Sequence, residues 1–192
     1  MQVAIRRAPE REVPASWPAT KRCIDVALGA ALLILASPLM AIAALGIIAV
    51  TGGSPFYAQE RVGQHGRRFR IFKLRTMVEN AHEMRDEVMH LNELNGPVFK
   101  IRNDPRLHPL GRLLRRTSID ELPNLINVLR GEMSLVGPRP ALPCEVEHYD
   151  PSAMRRLEVP QGITGLWQIR GRADIPFEEW MRLDCEYVDT WT

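Results

Sequence analysis

Lysine is nearly missing from this 192-residue chain: Lys21, Lys73 and Lys100 are the only three, so almost all of its 25 basic charges are arginine. Lysine-rich runs that would track nucleic acid are excluded, and the cations present are planar forks suited to bidentate phosphate or carboxylate contacts. An arginine-rich codon usage would give the same count. Cysteine is scarce too. Cys23, Cys144 and Cys185 are odd in number, far apart and without a CxxC pair, which argues against a disulfide framework or a zinc site and suits a reducing cytoplasm. No GxxxxGK[ST], GxGxxG or HExxH occurs, which disfavours ATP-driven and zinc-protease chemistry. With 25 basic against 23 acidic residues, the formal charge of +2 selects no acidic partner.

The most telling absence is local, because residues 27–50 contain no charged side chain. A run of that length exceeds a signal-peptide core, and it is long enough to cross a bilayer if straight. Ser37-Pro38 stands near its middle, where proline removes a backbone donor and crowds the preceding turn. Each half is then about 18 Å long, too short to cross a core of about 30 Å alone. Basic residues flank both ends, Lys21 and Arg22 before the run and Arg61, Arg67, Arg68, Arg70, Lys73 and Arg75 after it. Both flanks are thereby marked cytoplasmic, which favours a helix-break-helix that re-enters, with the Ser37 hydroxyl free to bond a released carbonyl. A proline-kinked spanning helix is the competing reading.

What is present divides into three parts: residues 1–20 as a flexible tail, 21–55 as the membrane helix, and 56–192 as a cytoplasmic domain. The soluble part reads as α+β, mostly helical with short strands. Arg70 to Met77 alternates apolar and basic residues like a strand that buries one side and presents cations on the other, or like an edge strand with solvated charges. Met77, Ala81, Met84, Val88 and Leu91 recur at helical steps and predict an amphipathic helix ended by Asn95-Gly96-Pro97. Leu107, Leu110, Leu113 and Leu114 predict a short helix whose other face carries Arg106, Arg112, Arg115 and Arg116. In Thr117 to Gly131, Ser118 with Glu121 fits a capping box and Gly131 a helix stop, while Pro123 would suit Asp120 as the N-cap. Either register sets Asp120 and Glu121 at a positive helix end, where a carboxylate stays ionised and a phosphate finds donors, although such residues are most often simply caps. Gly137-Pro138-Arg139-Pro140 stiffens the chain on both sides of one arginine, as a phosphate clamp or an ordinary turn would. Pro160 to Gln168 is a glycine-punctuated loop leading into a short strand. Phe177, Trp180, Met181, Asp184, Val188 and Trp191 predict a terminal amphipathic helix.

Taken together, Lys21-Arg22-x-x-Asp25, the apolar run broken at Ser37-Pro38, Lys73-Leu74-Arg75-Thr76-Met77, Arg115-Arg116-Thr117-Ser118-Ile119-Asp120-Glu121-Leu122-Pro123, Ser134-Leu135-Val136-Gly137-Pro138-Arg139-Pro140 and Gly162-Ile163-Thr164-Gly165-Leu166-Trp167-Gln168 closely resemble, in family order, the bacterial sugar transferases. These are the monotopic polyprenyl-phosphate phosphoglycosyl transferases. The resemblance implies transfer of a sugar 1-phosphate from a UDP-sugar to polyprenyl (undecaprenyl) phosphate, releasing UMP and initiating a membrane-linked glycan such as an exopolysaccharide. It implies Asp120 as a nucleophile that forms an aspartyl-phosphosugar, Glu121 as its partner, and Mg²⁺ held by Asp120 and Glu121. It further implies Lys73, Arg75, Arg115 and Arg139 as nucleotide and phosphate contacts, and Ser37 and Pro38 as the break of a re-entrant helix. The partners expected are the two substrates and inner-membrane lipid, with no nucleic acid, at the cytoplasmic face of the bacterial inner membrane; a homodimer stays open. Asn95-Gly96-Pro97-Val98-Phe99-Lys100-Ile101 resembles the larger hexose-1-phosphate branch and favours UDP-glucose or UDP-galactose. Larger members carry a multi-helix N-terminal membrane region that these motifs lack, and many continue beyond the Asp184 to Trp191 segment. The alternative is a non-enzymatic membrane-surface protein whose arginine faces bind anionic lipid or, the weaker half of that reading, nucleic acid.

Overall fold

A computed structural model describes residues 17–93, 99, 101–170 and 175–191. Residues 1–16 of the expected tail lie outside these, as do 95–98 and 100 of the segment resembling the hexose-1-phosphate branch. The rest of the tail is not a tail: helix α1 runs from Trp17 to Thr51. Pro18 falls in its first turn, where a missing N–H costs nothing. The expected break is also helical. α1 continues through Pro38, and the carbonyl of Ile34, which Pro38 cannot bond, accepts from the Ser37 hydroxyl at 2.8 Å. The side-chain donor replaces the backbone donor, so the freed carbonyl is satisfied without interrupting the helix.

Two surfaces of α1 meet different surroundings. Ile34, Leu35, Ile42 and Leu45 are 67–76% exposed, an apolar face with no protein against it. The opposite face docks on the soluble part at both ends. In the first half, Arg22 donates to the carbonyls of Val128 and Leu129, the latter at 2.7 Å, and Asp25 accepts from the Leu135 N–H at 3.1 Å. In the second half, Ala43 and Ile47 are buried with Leu74 and Leu114, against Leu110 and Ile119.

The soluble part starts where expected, with an antiparallel hairpin of β1 (Phe56–Val62) and β2 (Arg68–Leu74), paired from Phe56↔Leu74 to Val62↔Arg68. The predicted helix over Met77 to Leu91 does not form as such. Only two short 3₁₀ turns, Glu83–Arg85 and Met89–Leu91, appear, although Ala81 and Val88 are buried as the stripe requires. Tertiary partners have taken the backbone: Val78 N–H donates to the Arg106 carbonyl, Met77 bridges Leu107, and the Ala81 carbonyl accepts from Arg106. Those groups are not available for an i→i+4 ladder.

Helix α2 (Pro109–Thr117) follows, as its leucine spacing predicts. It lies so close to the end of β2 that a Cβ on Gly111 would stand 2.0 Å from the Thr76 carbonyl oxygen. Ser118 ends α2 in the left-handed region at φ 58°, its N–H returning to Arg115 and Leu114, so it cannot be the extended N-cap that a capping box needs. Asp120 is not an N-cap either. It lies within a 3₁₀ turn, Ile119–Asn124, that runs straight into α3 (Leu125–Arg130), and Gly131 stops α3 at φ 81° as predicted.

The remainder frames the Arg139 loop. β3 (Ser134–Val136) pairs in parallel with β4 (Gly162–Thr164), and between them lie α4 (Pro143–Val146) and α5 (Pro151–Met154). Trp167 and Gln168, expected in a strand, belong to the short helix α6 (Leu166–Arg170) that follows β4. The predicted terminal helix is α7 (Phe177–Thr190), which buries Trp180, Met181 and Leu183 with Trp167 and Ala153.

Candidate active site

The 3₁₀ turn after α2 carries Asp120 and Glu121, and the residue before them fixes where they sit. Ile119 packs against the cluster that Ala43 and Ile47 of α1 form with Leu74 and Leu114, so the carboxylates are held at the base of the long apolar helix. Asn127 locks the same segment to the hairpin. Its side chain donates to the Arg70 carbonyl at 2.7 Å and accepts from the Phe72 N–H at 3.3 Å, joining α3 to one edge of β2.

Across this junction, Lys73 of β2 reaches Glu121 at 2.6 Å. Burial alone would raise the Glu121 carboxyl, but Lys73, followed by Arg139 and Arg61, holds it below the ordinary range. The same burial lowers Lys73, against the pull of Glu121. Asp120, only 6% exposed, goes the other way. Burial pushes its carboxyl up to about 6, with Glu121 adding to the rise and Lys73 and Arg115 opposing it. At pH 7 such a group is ionised by about tenfold over its acid form, yet poorly solvated.

Arg115, on the last turn of α2, donates through Nε to the Thr76 hydroxyl at 3.0 Å and acts on Asp120 electrostatically. Arg139, from the proline-flanked loop, acts on both Glu121 and Lys73. Three of the four cations singled out in the sequence therefore converge on the carboxylates. The fourth does not share their electrostatic grouping: Arg75 lines a cavity at the end of α1 with Val50, Thr51, Glu79 and His108, its carbonyl 3.1 Å from His108 Nε2.

A fifth cation escaped the sequence reading, which took Arg61 only as flanking charge. It is 5% exposed in β1, bonds the Pro140 carbonyl at 3.1 Å and the Gln59 side chain at 2.7 Å, and acts on Glu121. Burial, then Arg139, brings its guanidinium down to about 10. Alternation along β1 gives no sign of it, since Arg61 and its neighbour Val62 are both buried, and only the tertiary packing brings Arg61 beside Glu121. Lys73, Arg61, Arg115 and Arg139 surround Asp120 and Glu121, with Glu145 also acting on Arg61 and Asp104 on Arg115, and a set of cationic donors of this kind suits a multiply charged anion.

Among the described residues, no group of three or more His, Cys, Asp or Glu side chains lies close enough to form a protein cage for a metal. Asp120 and Glu121 are adjacent carboxylates, and a Mg²⁺ ion ordinarily takes one or two of these together with water and substrate phosphate. The residues present fit that mode of binding.

Comparison with known proteins agrees with the geometry. The model of the family "bacterial sugar transferase" matches residues 16–192. The galactosyl transferase CpsE of Streptococcus agalactiae is 42% identical over 173 residues, covering 90% of this chain and 38% of that protein. The undecaprenyl-phosphate galactose phosphotransferase of Salmonella typhimurium is 42% identical over 180 residues, covering 90% of this chain and 37% of that one. The exopolysaccharide production protein ExoY of Rhizobium meliloti is 41% identical over 176 residues, with 90% and 78% covered. The chain thus spans little more than a third of the first two relatives and most of the third. With the motifs in order and the match running from the start of α1 to the end of the chain, the protein belongs to the bacterial sugar transferase family.

Proposed function

We propose that the protein is a phosphoglycosyl transferase that moves a sugar 1-phosphate from a UDP-sugar to polyprenyl phosphate at the cytoplasmic face of the bacterial inner membrane. The observation that carries this reading is the position of Asp120: a buried, largely desolvated carboxylate facing Lys73 and Arg115, at the foot of an apolar helix. In the first step an Asp120 oxygen attacks the phosphorus that bears the sugar, the bond from that phosphorus to UMP breaks, and UMP leaves with the electron pair. In the second, an oxygen of the lipid phosphate attacks the same phosphorus and the Asp120 carboxylate departs, giving a polyprenyl diphosphosugar. Desolvation makes Asp120 the more reactive as a nucleophile, and Lys73 lowers the fraction held as unreactive acid. Glu121, held ionised by Lys73, would share Mg²⁺ with Asp120. Bound there, the ion would neutralise charge on the phosphate oxygens. Arg115 and Arg139 orient the diphosphate and stabilise charge as the leaving group forms.

The same reading has α1 bend at Pro38 without losing its helix, so that it enters one leaflet and returns. In its support, both halves of α1 dock on one soluble unit, Arg22 and Asp25 on α3 and β3, Ala43 and Ile47 on β2 and α2. A spanning helix would set one of those ends across about 30 Å of hydrocarbon from that unit. The names of the relatives favour galactose or glucose as the sugar, the latter from the UDP-glucose:undecaprenyl-phosphate glucose-1-phosphate transferase of Caulobacter vibrioides, 40% identical over 181 residues. The test is UMP release from a panel of UDP-sugars with Mg²⁺, with and without undecaprenyl phosphate, together with intact-protein mass spectrometry. A mass gain of one hexose phosphate on wild type, absent from Asp120→Asn, is expected. Product formation when the acceptor is present, with no such adduct when the acceptor is withheld, would refute the covalent step.

A further inference from the structure

Three successive carbonyls of the Pro138-Arg139-Pro140 loop are each taken by a donor from a different part of the chain. The Pro138 carbonyl accepts from the Gly162 N–H at 2.8 Å, that of Arg139 from Arg156 Nη2 at 2.9 Å, and that of Pro140 from Arg61 Nη1 at 3.1 Å. The Gly137 N–H in turn donates to the Thr164 carbonyl at 2.9 Å. Proline rings fix φ at 138 and 140, so these bonds remove most of the freedom that the backbone at Arg139 retains.

The middle donor is the unusual one. Arg156 is 1% exposed, and a guanidinium taken that far from water keeps its charge and must distribute its N–H groups among acceptors. Its Nη2 bonds Asp184 Oδ2 at 2.5 Å as well as the Arg139 carbonyl, and its Nη1 bonds the Tyr149 hydroxyl at 2.5 Å. Asp184 is itself 1% exposed. The ring of Trp180, one helical turn before Asp184 on α7, lies 5.6 Å from the Arg139 guanidinium and 5.7 Å from that of Arg156, so one indole carries both cations. A buried ion pair of this kind adds little net stability over a well-packed apolar pair. Its geometry is spent on a loop carbonyl instead.

We infer that Arg156, braced by Asp184 and Tyr149, is a positioning residue that aims Arg139 at the carboxylates from behind the loop. It touches neither substrate nor reacting atoms; it acts through Arg139. The inference rests on the transferase reading, and it extends the site to α7 and to the segment between α5 and β4, neither of which reaches Asp120.

The experiment is a double-mutant cycle on UMP release, with wild-type turnover as the control for the transferase reading itself. Asp184→Asn keeps shape and removes the charge that braces Arg156. It is expected to lower kcat/KM for the UDP-sugar about tenfold while the protein stays folded by circular dichroism. Arg139→Ala is expected to lose more, and the double variant no more than Arg139→Ala alone, because Asp184 then has nothing left to aim. Losses that multiply in the double variant overturn the inference, as does a folded Asp184→Asn with kcat/KM within twofold of wild type. Should Asp184→Asn unfold, Tyr149→Phe removes a single bond to Arg156 and is put through the same cycle with a smaller expected loss of about threefold. Turnover absent from wild type would instead count against the transferase reading.

Discussion

The Arg156–Asp184 cluster and the Lys73–Glu121 cluster are both ion pairs withdrawn from water, and they use their charges differently. Arg156 directs its terminal nitrogens to three oxygens of the protein itself, and the pair is 1–2% exposed. The Lys73–Glu121 pair is 20–28% exposed and sits among Arg61, Arg115, Arg139 and Asp120, where burial pushes the Asp120 carboxyl up to about 6. The first arrangement spends its terminal nitrogens within the protein, although Arg156 Nε is buried without a partner. The second is more open, and under the proposed function a diphosphate with its metal would meet it there. The contrast separates charges spent on the protein's own oxygens, which set the Arg139 loop, from charges left to meet a ligand.

The sharpest way to break the contrast is to remove the nucleophile. Asp120→Asn should reduce UMP release by about 10³-fold or more, since an amide of the same shape cannot attack phosphorus, with the circular dichroism spectrum unchanged. Glu121→Gln and exhaustive chelation with EDTA should each remove most activity; full turnover after chelation would sink the magnesium assignment.

The two cations should then differ in what they cost the fold, although both support turnover. Arg156→Met strands Asp184 in the interior and should cost about 3–5 kcal/mol of stability, read as a drop in denaturation midpoint. Lys73→Met should leave the midpoint nearly in place and lower turnover about 10²-fold. A reversal of these two outcomes would erase the distinction.

Lys73 also sets the titration of Asp120. In metal-free protein, the carboxyl of Asp120 should titrate at about 6, against an ordinary aspartate value of about 4. Because the Lys73 charge lowers it, Lys73→Met should move the midpoint to higher pH, as followed by carbon NMR of labelled aspartate. Since the folded value is raised, this group favours the folded state below about pH 4 and that contribution is lost as pH rises through about 6, the reverse of a salt-bridged aspartate.

The smallest effect concerns α1. Ser37→Ala leaves the Ile34 carbonyl without its donor and should cost about 1 kcal/mol locally. Combined with Pro38→Ala the ordinary backbone bond returns, and part of the population should convert to a spanning form. A cysteine introduced near Ala15 in an otherwise cysteine-free chain should then label from outside, while the same cysteine with Ser37 and Pro38 intact should not.

Much of the fold was legible because it depends on local pattern. The uncharged run made α1, leucine spacing made α2, Gly131 stopped α3, and the aromatic stripe from Phe177 made α7. Met77 to Leu91 shows where that logic fails. Its apolar stripe is correct, but Arg106 and Leu107 compete for its backbone, and no local pattern records a partner nearly 30 residues away. Ser118 fails for a related reason, since one residue cannot both end α2 in the left-handed region and cap the next turn.

The sequence by itself determined the long apolar helix, the carboxylate pair at positions 120 and 121, the proline-flanked arginine and the family to which they belong, because each is a run or motif of neighbours along the chain. Only the tertiary structure decided which charges meet. Lys73 finds Glu121 across 48 positions, Arg61 finds Pro140 across 79, and Arg156 finds Asp184 across 28 while bonding the carbonyl beside the Arg139 side chain. Those distances close because hairpin register, the Gly111 approach and the packing of Ile119 under α1 bring the segments together. Coulomb interactions and desolvation depend on separation in space, and separation along the chain does not encode it.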